Sequence, residues 1–114
     1  MKIENTDLGN EVLVIAEIGN NHEGDLELAK TMISLAAQSG AQAVKFQSII
    51  PDKLVSVKQK ETIELFRKFQ FMPDQFIELK EYSNSQGVLF MSTPFDVESA
   101  KFLDPLVPAF KIAS

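Results

Sequence analysis

Four short apolar runs, each next to turn residues, constrain the fold of this chain more than any other feature. The runs lie at Val12 to Ile18, Ala43 to Gln47, Val88 to Ser92 and Ala109 to Ile112. Short runs rich in β-branched or aromatic residues and bounded by turn residues predict buried strands. Amphipathic segments separate them, so the predicted order is β-α-β-α-β-α-β. This alternation predicts a parallel sheet with right-handed crossovers.

The segments between the predicted strands carry helix signals, namely apolar residues at helical spacing, N-cap residues and terminating glycines. Helices are predicted between the cap Asp25 and Gly40, over Thr62 to Gln70, between the cap Asp74 and Gly87, and over Val97 to Leu103 after the cap Asp96. The first eleven residues are weakly patterned and fit a small hairpin or a strand leading into the core. Thr93-Pro94-Phe95 is predicted to be a turn, because proline interrupts strand pairing.

Two architectures fit this order of elements. One is an open doubly wound sheet and the other is the first half of a (β/α)₈ barrel. The chain has no G-x-G-x-x-G after the first predicted strand, which weakens the dinucleotide-binding version of the open sheet. Half a barrel would leave two open strand edges and one uncovered sheet face.

Composition narrows the function classes. The net charge of −5 and the pI near 4.8 argue against non-specific nucleic-acid binding, although an anionic small ligand remains compatible with a locally basic site. The absence of cysteine excludes disulfides, thiolate metal sites and a cysteine nucleophile. No apolar run approaches the ~20 residues of a membrane span, and the first residues lack the apolar core of a secretory signal. We expect a cytoplasmic protein without a membrane partner.

Polar residues follow the predicted strands where parallel α/β folds bind their ligands, at the carboxyl ends. Glu17 ends the first strand, while Lys45 and Gln47 lie two apart in the second and therefore on one face. Candidates on the third and fourth strands are Ser92, Thr93, Lys111 and Ser114.

Lysine is rarely buried unpaired, so two lysines inside apolar strands point to an anion carrying phosphate or carboxylate. The alternatives are that each lysine reaches solvent or pairs structurally with Glu17, and that Glu17 itself reaches solvent. His22 is the only histidine, and we interpret it as bonded within its own turn in preference to an acid–base role.

Four segments, AEIGNNHEGDLELAK, GAQAVKFQS, STPFD and PAFKIAS, resemble the N-terminal part of the sialic acid synthase family. That family covers N-acetylneuraminate, legionaminate and pseudaminate synthases and spore-coat polysaccharide enzymes. The resemblance implies a (β/α)₈ TIM barrel, of which residues 1–114 would be the N-terminal half with about four parallel strands. It also implies a C-terminal antifreeze-like domain outside this chain and a domain-swapped homodimer.

The resemblance further implies condensation of phosphoenolpyruvate with an N-acetylated, N-acetylmannosamine-like aminosugar aldehyde, giving a nonulosonic acid and phosphate. A divalent metal, Mn²⁺ or Mg²⁺, would be bound mainly by residues downstream of this chain, so the 114 residues alone are expected to be inactive. Glu17 would be catalytic and face the sugar. The residues implied as phosphoenolpyruvate ligands are Lys45, Thr93, Lys111 and Ser114, with Gln47 and Ser92 as further candidates.

Two other functions stay open from the sequence. One is a different phosphoenolpyruvate-using aldol-type synthase, or an aldolase, on the same barrel. The other is a half-barrel that binds an anion without catalysis.

Overall fold

The computed structural model describes residues 1–114. Its strands are β1 Lys2–Ile3, β2 Thr6–Asp7, β3 Ile15–Gly19, β4 Ala43–Ser48 and β5 Leu89–Pro94. Its helices are α1 Leu26–Gln38, α2 Pro51–Leu54, α3 Lys60–Phe69, α4 Pro73–Ser85 and α5 Val97–Leu103. None of these helices combines the length and apolar character needed to cross a membrane.

The central sheet is parallel, in the order β3-β4-β5. Its register sets Glu17 opposite Lys45 and Gln47 opposite Thr93. Because side chains alternate between the two faces of a strand, these residues share one face of the sheet. The strands β1 and β2 form a separate antiparallel hairpin, which confirms the hairpin among the alternatives for the first eleven residues.

The helices pack on the other face of the sheet. Val44 and Phe46 from β4 and Phe90 from β5 join Ile33 of α1 and Leu79 of α4 in one core cluster, and each is at most 2% exposed. Fully burying such a side chain contributes about 1.5–3 kcal/mol. Helices on one face only define a partial (β/α)₈ barrel and exclude the doubly wound alternative, so the predicted barrel fold class is confirmed.

Local capping follows the sequence at two helices. The Asp25 carboxylate accepts from the Leu28 backbone N–H at 3.0 Å, and the Asp96 carboxylate accepts from the Ser99 backbone N–H at 2.8 Å. Each bond satisfies one of the free N–H groups of a helix N-terminus. Both predicted caps are therefore confirmed.

The predicted cap Asp74 is wrong by two residues. Helix α4 begins at Pro73, with Met72 as its N-cap, and Asp74 lies inside the first turn. The Gln75 side chain accepts from the Met72 backbone N–H at 2.8 Å. Proline suits the first helical position, because the N–H that it lacks would be unpaired there anyway. The helix therefore starts at Pro73, before the position that a cap at Asp74 would give.

Two strand predictions need correction. Ala109 to Ile112 is not a strand, so the sheet has three strands and not four; an apolar run becomes a strand only through ladder bonds, and this one forms none. The predicted turn at Thr93-Pro94 is wrong as well, because β5 continues to Pro94. Proline is tolerated there since it ends an edge strand, where little pairing is lost.

Strand β3, the first strand of the central sheet, forms an open edge of that sheet. It is shorter and less buried than the run Val12 to Ile18 predicted. It begins at Ile15, while Val12 and Val14 are 80% and 52% exposed. Unpaired strand edges with apolar side chains template association. We expect the 114 residues alone to self-associate, with a sedimentation coefficient that rises with concentration.

Val12→Lys should weaken this association, because a charge in the exposed apolar segment that leads into the open edge opposes strand pairing. Val97→Lys is the matched control, since Val97 is 71% exposed but lies on α5, away from the edge. A monomeric chain that melts cooperatively at all concentrations would contradict the expectation.

Candidate active site

The polar face of the sheet carries a connected cluster built on Lys45. Its Nζ lies 2.5 Å from Glu17 Oε2 and donates to Thr93 Oγ1 at 3.2 Å. The three residues come from three adjacent strands, as their register requires. The Lys45 side chain is only 12% exposed, whereas that of Glu17 is 52% exposed. The structure therefore brings three of the predicted site residues together.

The ion pair with Glu17 is one of the alternatives that the sequence left open for Lys45. It also leaves a donor of Lys45 available to a ligand. A lysine ammonium has three donors, of which Glu17 and Thr93 take two. The Glu17 carboxylate is half in solvent, so an incoming anion can replace it at low cost. The arrangement is a partly buried cation with a displaceable counter-ion.

Gln47 lies beside this cluster and is held by a residue that the sequence identified only as a turn former. Asn20 Nδ2 donates to Gln47 Oε1 at 2.9 Å. The acceptor oxygen of Gln47 is thereby occupied, and its NH₂ group is left to donate to a ligand. Asn20 was missed; its signal was a polar side chain directly after a strand end.

Gly19 allows the loop to leave β3 close to these side chains. Its φ is +58°, and a Cβ there would lie 3.3 Å from Glu17 Oε1 and 3.7 Å from Gln47 Nε2. The β3-β4 register also shifts between Glu17 and Gly19. A side chain at this position would be strained and would press on the Glu17 carboxylate.

Ser92 is not brought to the cluster. Its hydroxyl shares a 2.8 Å hydrogen bond with Ser48 on the helix-facing side of the sheet, where Ser92 is fully buried. Because successive side chains on a strand point to opposite faces of the sheet, Ser92 and its neighbour Thr93 lie on opposite faces. Lys111 and Ser114 lie in the exposed segment after α5, outside the cluster, because the fourth strand is not formed. Their roles stay predictions.

His22 bonds within its own turn, which confirms the interpretation from sequence. Its Nδ1 accepts from the Gly24 backbone N–H at 2.9 Å, and its ring stacks on Phe71 with a centroid distance of 4.1 Å. It is 1% exposed. Burial lowers the pKa of His22 to about 4, against the raising effects of the Gly19 backbone and the Asp25 charge.

A stability prediction follows from this buried histidine. Between its folded pKa of about 4 and its ordinary value of 6.5, the unfolded chain binds more protons than the folded chain. The free energy of unfolding should therefore fall as the pH drops through this window, by up to about 3 kcal/mol. Urea denaturation at several pH values measures it. His22→Asn, which cannot titrate, should lose this component; an unchanged slope would contradict the prediction.

The residues present do not form a metal centre. No group of three or more His, Cys, Asp or Glu side chains converges anywhere in the 114 residues. Glu17, the one carboxylate in the cluster, is already paired with Lys45. Any divalent ion at this site would need ligands from elsewhere.

A cavity of about 300 Å³ lies at the end of β4 but belongs to the helix-facing side. Apolar residues dominate its lining, among them Ile49, Ile50, Phe71, Phe76 and Phe102. It includes neither Lys45 nor Glu17. The cavity and the charged cluster are therefore separate features on opposite faces of the sheet.

A protein family matches the part of the chain that carries most of the predicted site residues. The model of the NeuB family matches residues 32–114, which include Lys45, Thr93, Lys111 and Ser114. The chain belongs to the NeuB family.

Curated relatives extend the NeuB match to the N-terminal residues. The chain is 42% identical over 107 residues to an uncharacterised protein of Methanocaldococcus jannaschii, covering 93% of this chain and 32% of the relative. It is 37% identical over 118 residues to the N,N'-diacetyllegionaminic acid synthase of Campylobacter jejuni, covering 91% and 35%. It is 36% identical over 114 residues to human N-acetylneuraminate-9-phosphate synthase, covering 89% and 32%.

Solved structures agree with the NeuB assignment. The sialic acid synthetase of Leptospira borgpetersenii, in complex with citrate, superposes with a TM-score of 0.80 at 38% identity, covering 89% of this chain and 38% of that one. A spore coat polysaccharide biosynthesis protein of Bacillus subtilis gives 0.80 at 35% identity, covering 100% and 33%. The chain thus spans about a third of the length of the relatives it matches.

Proposed function

We propose that this chain supplies the phosphoenolpyruvate-binding part of a nonulosonic acid synthase in surface polysaccharide biosynthesis. The second substrate would be an N-acetylated aminosugar aldehyde resembling N-acetylmannosamine, and the products a sialic-acid-type nonulosonic acid and phosphate. The observation that carries the proposal is the cluster of Glu17, Lys45 and Thr93 on one face of three parallel strands in a NeuB chain, with Thr93 next to the carboxyl end of β5. Ligands bind at this end of such sheets.

Charge explains how the cluster would receive phosphoenolpyruvate. Lys45 offers a free donor to a phosphate or carboxylate oxygen, and charge-assisted hydrogen bonds of this kind are the strong ones. The Thr93 hydroxyl, now an acceptor from Lys45, can turn to donate to the same anion. The anion would take the place of the Glu17 carboxylate and free it for catalysis.

The reaction forms one carbon–carbon bond and breaks one bond to phosphate. C3 of phosphoenolpyruvate attacks the aldehyde carbon, whose oxygen takes up a proton. Water adds at C2, and phosphate then leaves to give the 2-keto acid. The released Glu17 carboxylate, half exposed on the polar face, would accept the proton of the attacking water as a general base.

Other parts of the proposal come from outside the cluster. Lys111 and Ser114 would join as phosphoenolpyruvate ligands if their segment pairs with the free edge of β5. A divalent metal, Mn²⁺ or Mg²⁺, would be held by residues beyond these 114. We also propose a homodimer and a cytoplasmic location for the whole enzyme.

A chimera tests the function. These 114 residues would replace the matching segment of the Campylobacter jejuni legionaminic acid synthase, and phosphate release would be followed with phosphoenolpyruvate and a panel of aminosugars. Turnover that needs both substrates supports the proposal. A chimera that melts cooperatively yet turns over only unrelated aldehydes would favour another aldol-type synthase, and one that binds phosphate without turnover would favour a non-catalytic anion site. The 114 residues alone should release no phosphate.

Glu17→Gln in the same chimera is expected to lower kcat by about 10²–10⁴-fold, the range for loss of a general base. The melting temperature should change little, because Glu17 is half exposed and buries no apolar surface. Glu61→Gln is the matched control, since Glu61 is an exposed carboxylate on α3. A large loss of melting temperature with a normal kcat would make Glu17 a structural residue.

A further inference from the structure

His22 is buried although it takes no part in the cluster, and its surroundings suggest what it does. The residue sits in the loop from Gly19 to Gly24, directly after the strand that ends near Glu17. Its ring lies between that loop and two core aromatics, Phe46 at 5.8 Å and Phe71 at 4.1 Å. It therefore fastens the loop to the helix-facing side of the sheet.

The loop is a series of tight turns with little freedom of its own. Asn21 N–H donates to Ile18 O, Glu23 N–H to Asn20 O, and Asp25 N–H to His22 O. Glu23 has a φ of +53°, which costs of order 1 kcal/mol for a residue with a side chain. Such a conformation persists only when its surroundings hold it.

The hydrogen bond from Gly24 N–H to His22 Nδ1 ties the ring to the end of the loop, and the Gly19 backbone interacts with the same ring at the start of the loop. Nδ1 must be unprotonated to accept from Gly24. At the other end of the same loop, Asn20 donates to Gln47 Oε1 at 2.9 Å. The loop thus joins a buried histidine on one side of the sheet to an amide on the polar side.

We propose that His22 is a positioning residue for the Gln47 amide. By fixing the loop through Gly24, His22 holds Asn20 in place, and Asn20 in turn orients the Gln47 amide so that its NH₂ group donates to the bound anion. The catalytic consequence rests on the proposed function, whereas the His22–Asn20–Gln47 connection does not. Gln47 lies next to Lys45 on the same face, so a turned amide would present an oxygen to the anion and repel it.

Charged groups around His22 are few. Asp25, the cap of α1, acts on it through space. The backbone carbonyl of Lys68, on α3, lies next to Gly24. Phe46 and Phe71 are uncharged, and Glu17 and Lys45 project from the opposite face of the sheet. Acid protonation of His22 should therefore act on Gln47 through the loop and not by direct charge.

Two substitutions separate the hydrogen bond from the packing. His22→Asn keeps an acceptor for the N–H two residues on, since asparagine makes this bond in Asx turns, but it loses the ring stack. His22→Phe keeps an aromatic ring but loses the acceptor for Gly24 N–H and the interaction with the Gly19 backbone. The ¹⁵N-labelled chain, carrying Val12→Lys against association, would be studied by NMR at neutral pH.

The Phe variant should lose about tenfold of the exchange protection of the Asn20 side-chain NH₂, as expected for loss of one supporting hydrogen bond, and should shift the Gln47 amide signals. The Asn variant should keep both. Unchanged Asn20 and Gln47 signals in the folded Phe variant overturn the proposal, and so does equal loss in both variants.

If the Phe variant does not fold, acid titration of the Val12→Lys chain with native His22 decides. The Asn20 and Gln47 side-chain signals should move with the same midpoint as the imidazole of His22, the only histidine, and should stay fixed in the Asn variant. Native amide signals that stay fixed while the imidazole titrates overturn the proposal.

In the chimera, the Phe variant should raise the KM for phosphoenolpyruvate and the Asn variant should restore it. Coupled NMR signals without any synthase turnover would retain the loop connection and reject the proposed function alone.

Discussion

Lys45→Ala is expected to lower kcat/KM for phosphoenolpyruvate by about 30- to 1,000-fold in the chimera. This corresponds to about 2–4 kcal/mol, the range for removing one partner of a buried, hydrogen-bonded charge pair. The lysine is only 12% exposed, and its ammonium contacts both Glu17 and Thr93, so its removal leaves the cluster without its central cation. The loss should fall on the KM for phosphoenolpyruvate, and much less on that for the sugar.

The matched control is Lys58→Ala, which removes an exposed lysine before α3. It should leave both KM values within experimental error. Lys111→Ala should also raise the KM for phosphoenolpyruvate if its segment pairs with β5 in the whole enzyme. Affinity for phosphoenolpyruvate should fall as salt rises, because the interaction is between charges. An unchanged KM for phosphoenolpyruvate in Lys45→Ala would refute the anion site.

Gly24→Ala is expected to unfold the loop and to cost several kcal/mol of stability. A Cβ at Gly24 would lie 2.0 Å from the backbone carbonyl oxygen of Lys68, so either the loop or the end of α3 must move. The φ of +83° adds about 1 kcal/mol, since a side chain disfavours the left-handed region. Chemical denaturation measures the change in the free energy of unfolding.

Gly40→Ala separates these two contributions. Gly40 has a comparable φ of +91°, yet a Cβ there meets nothing within 4 Å. This variant should therefore cost only the backbone term, about 1 kcal/mol. Equal losses at Gly24 and Gly40 would show that the clash with Lys68 is relieved at no cost, and that the loop is not pressed against α3.

Much of the site could be predicted because strand alternation is a local rule. Lys45 and Gln47 share a face whatever the rest of the fold does, and the carboxyl ends of parallel strands meet at one edge of the sheet. These two facts bring Glu17, Lys45 and Thr93 together. Helix starts are signalled just as locally, so Asp25 and Asp96 cap their helices as predicted, whereas Pro73 starts α4 before the predicted cap Asp74.

What could not be predicted depends on partners that are distant in sequence. Asn20 looks like any turn residue until β4 places Gln47 beside it, 27 positions later. The ring of His22 is buried by Phe71, which comes from the link between α3 and α4. The fourth strand failed for the converse reason: the run at Ala109 has strand-forming residues but no neighbour bonded to it.

The alternation of β4 has a consequence for how this protein can change. Its two faces can vary separately by substitution, because Lys45 and Gln47 meet the site while Val44 and Phe46 meet the core. A one-residue insertion or deletion within Ala43–Ser48 changes both faces together, because it reverses the facing of every side chain that follows it. It would turn phenylalanine toward the polar face and lysine toward the helices at once. We therefore expect length variation among relatives of this chain to be confined to its loops.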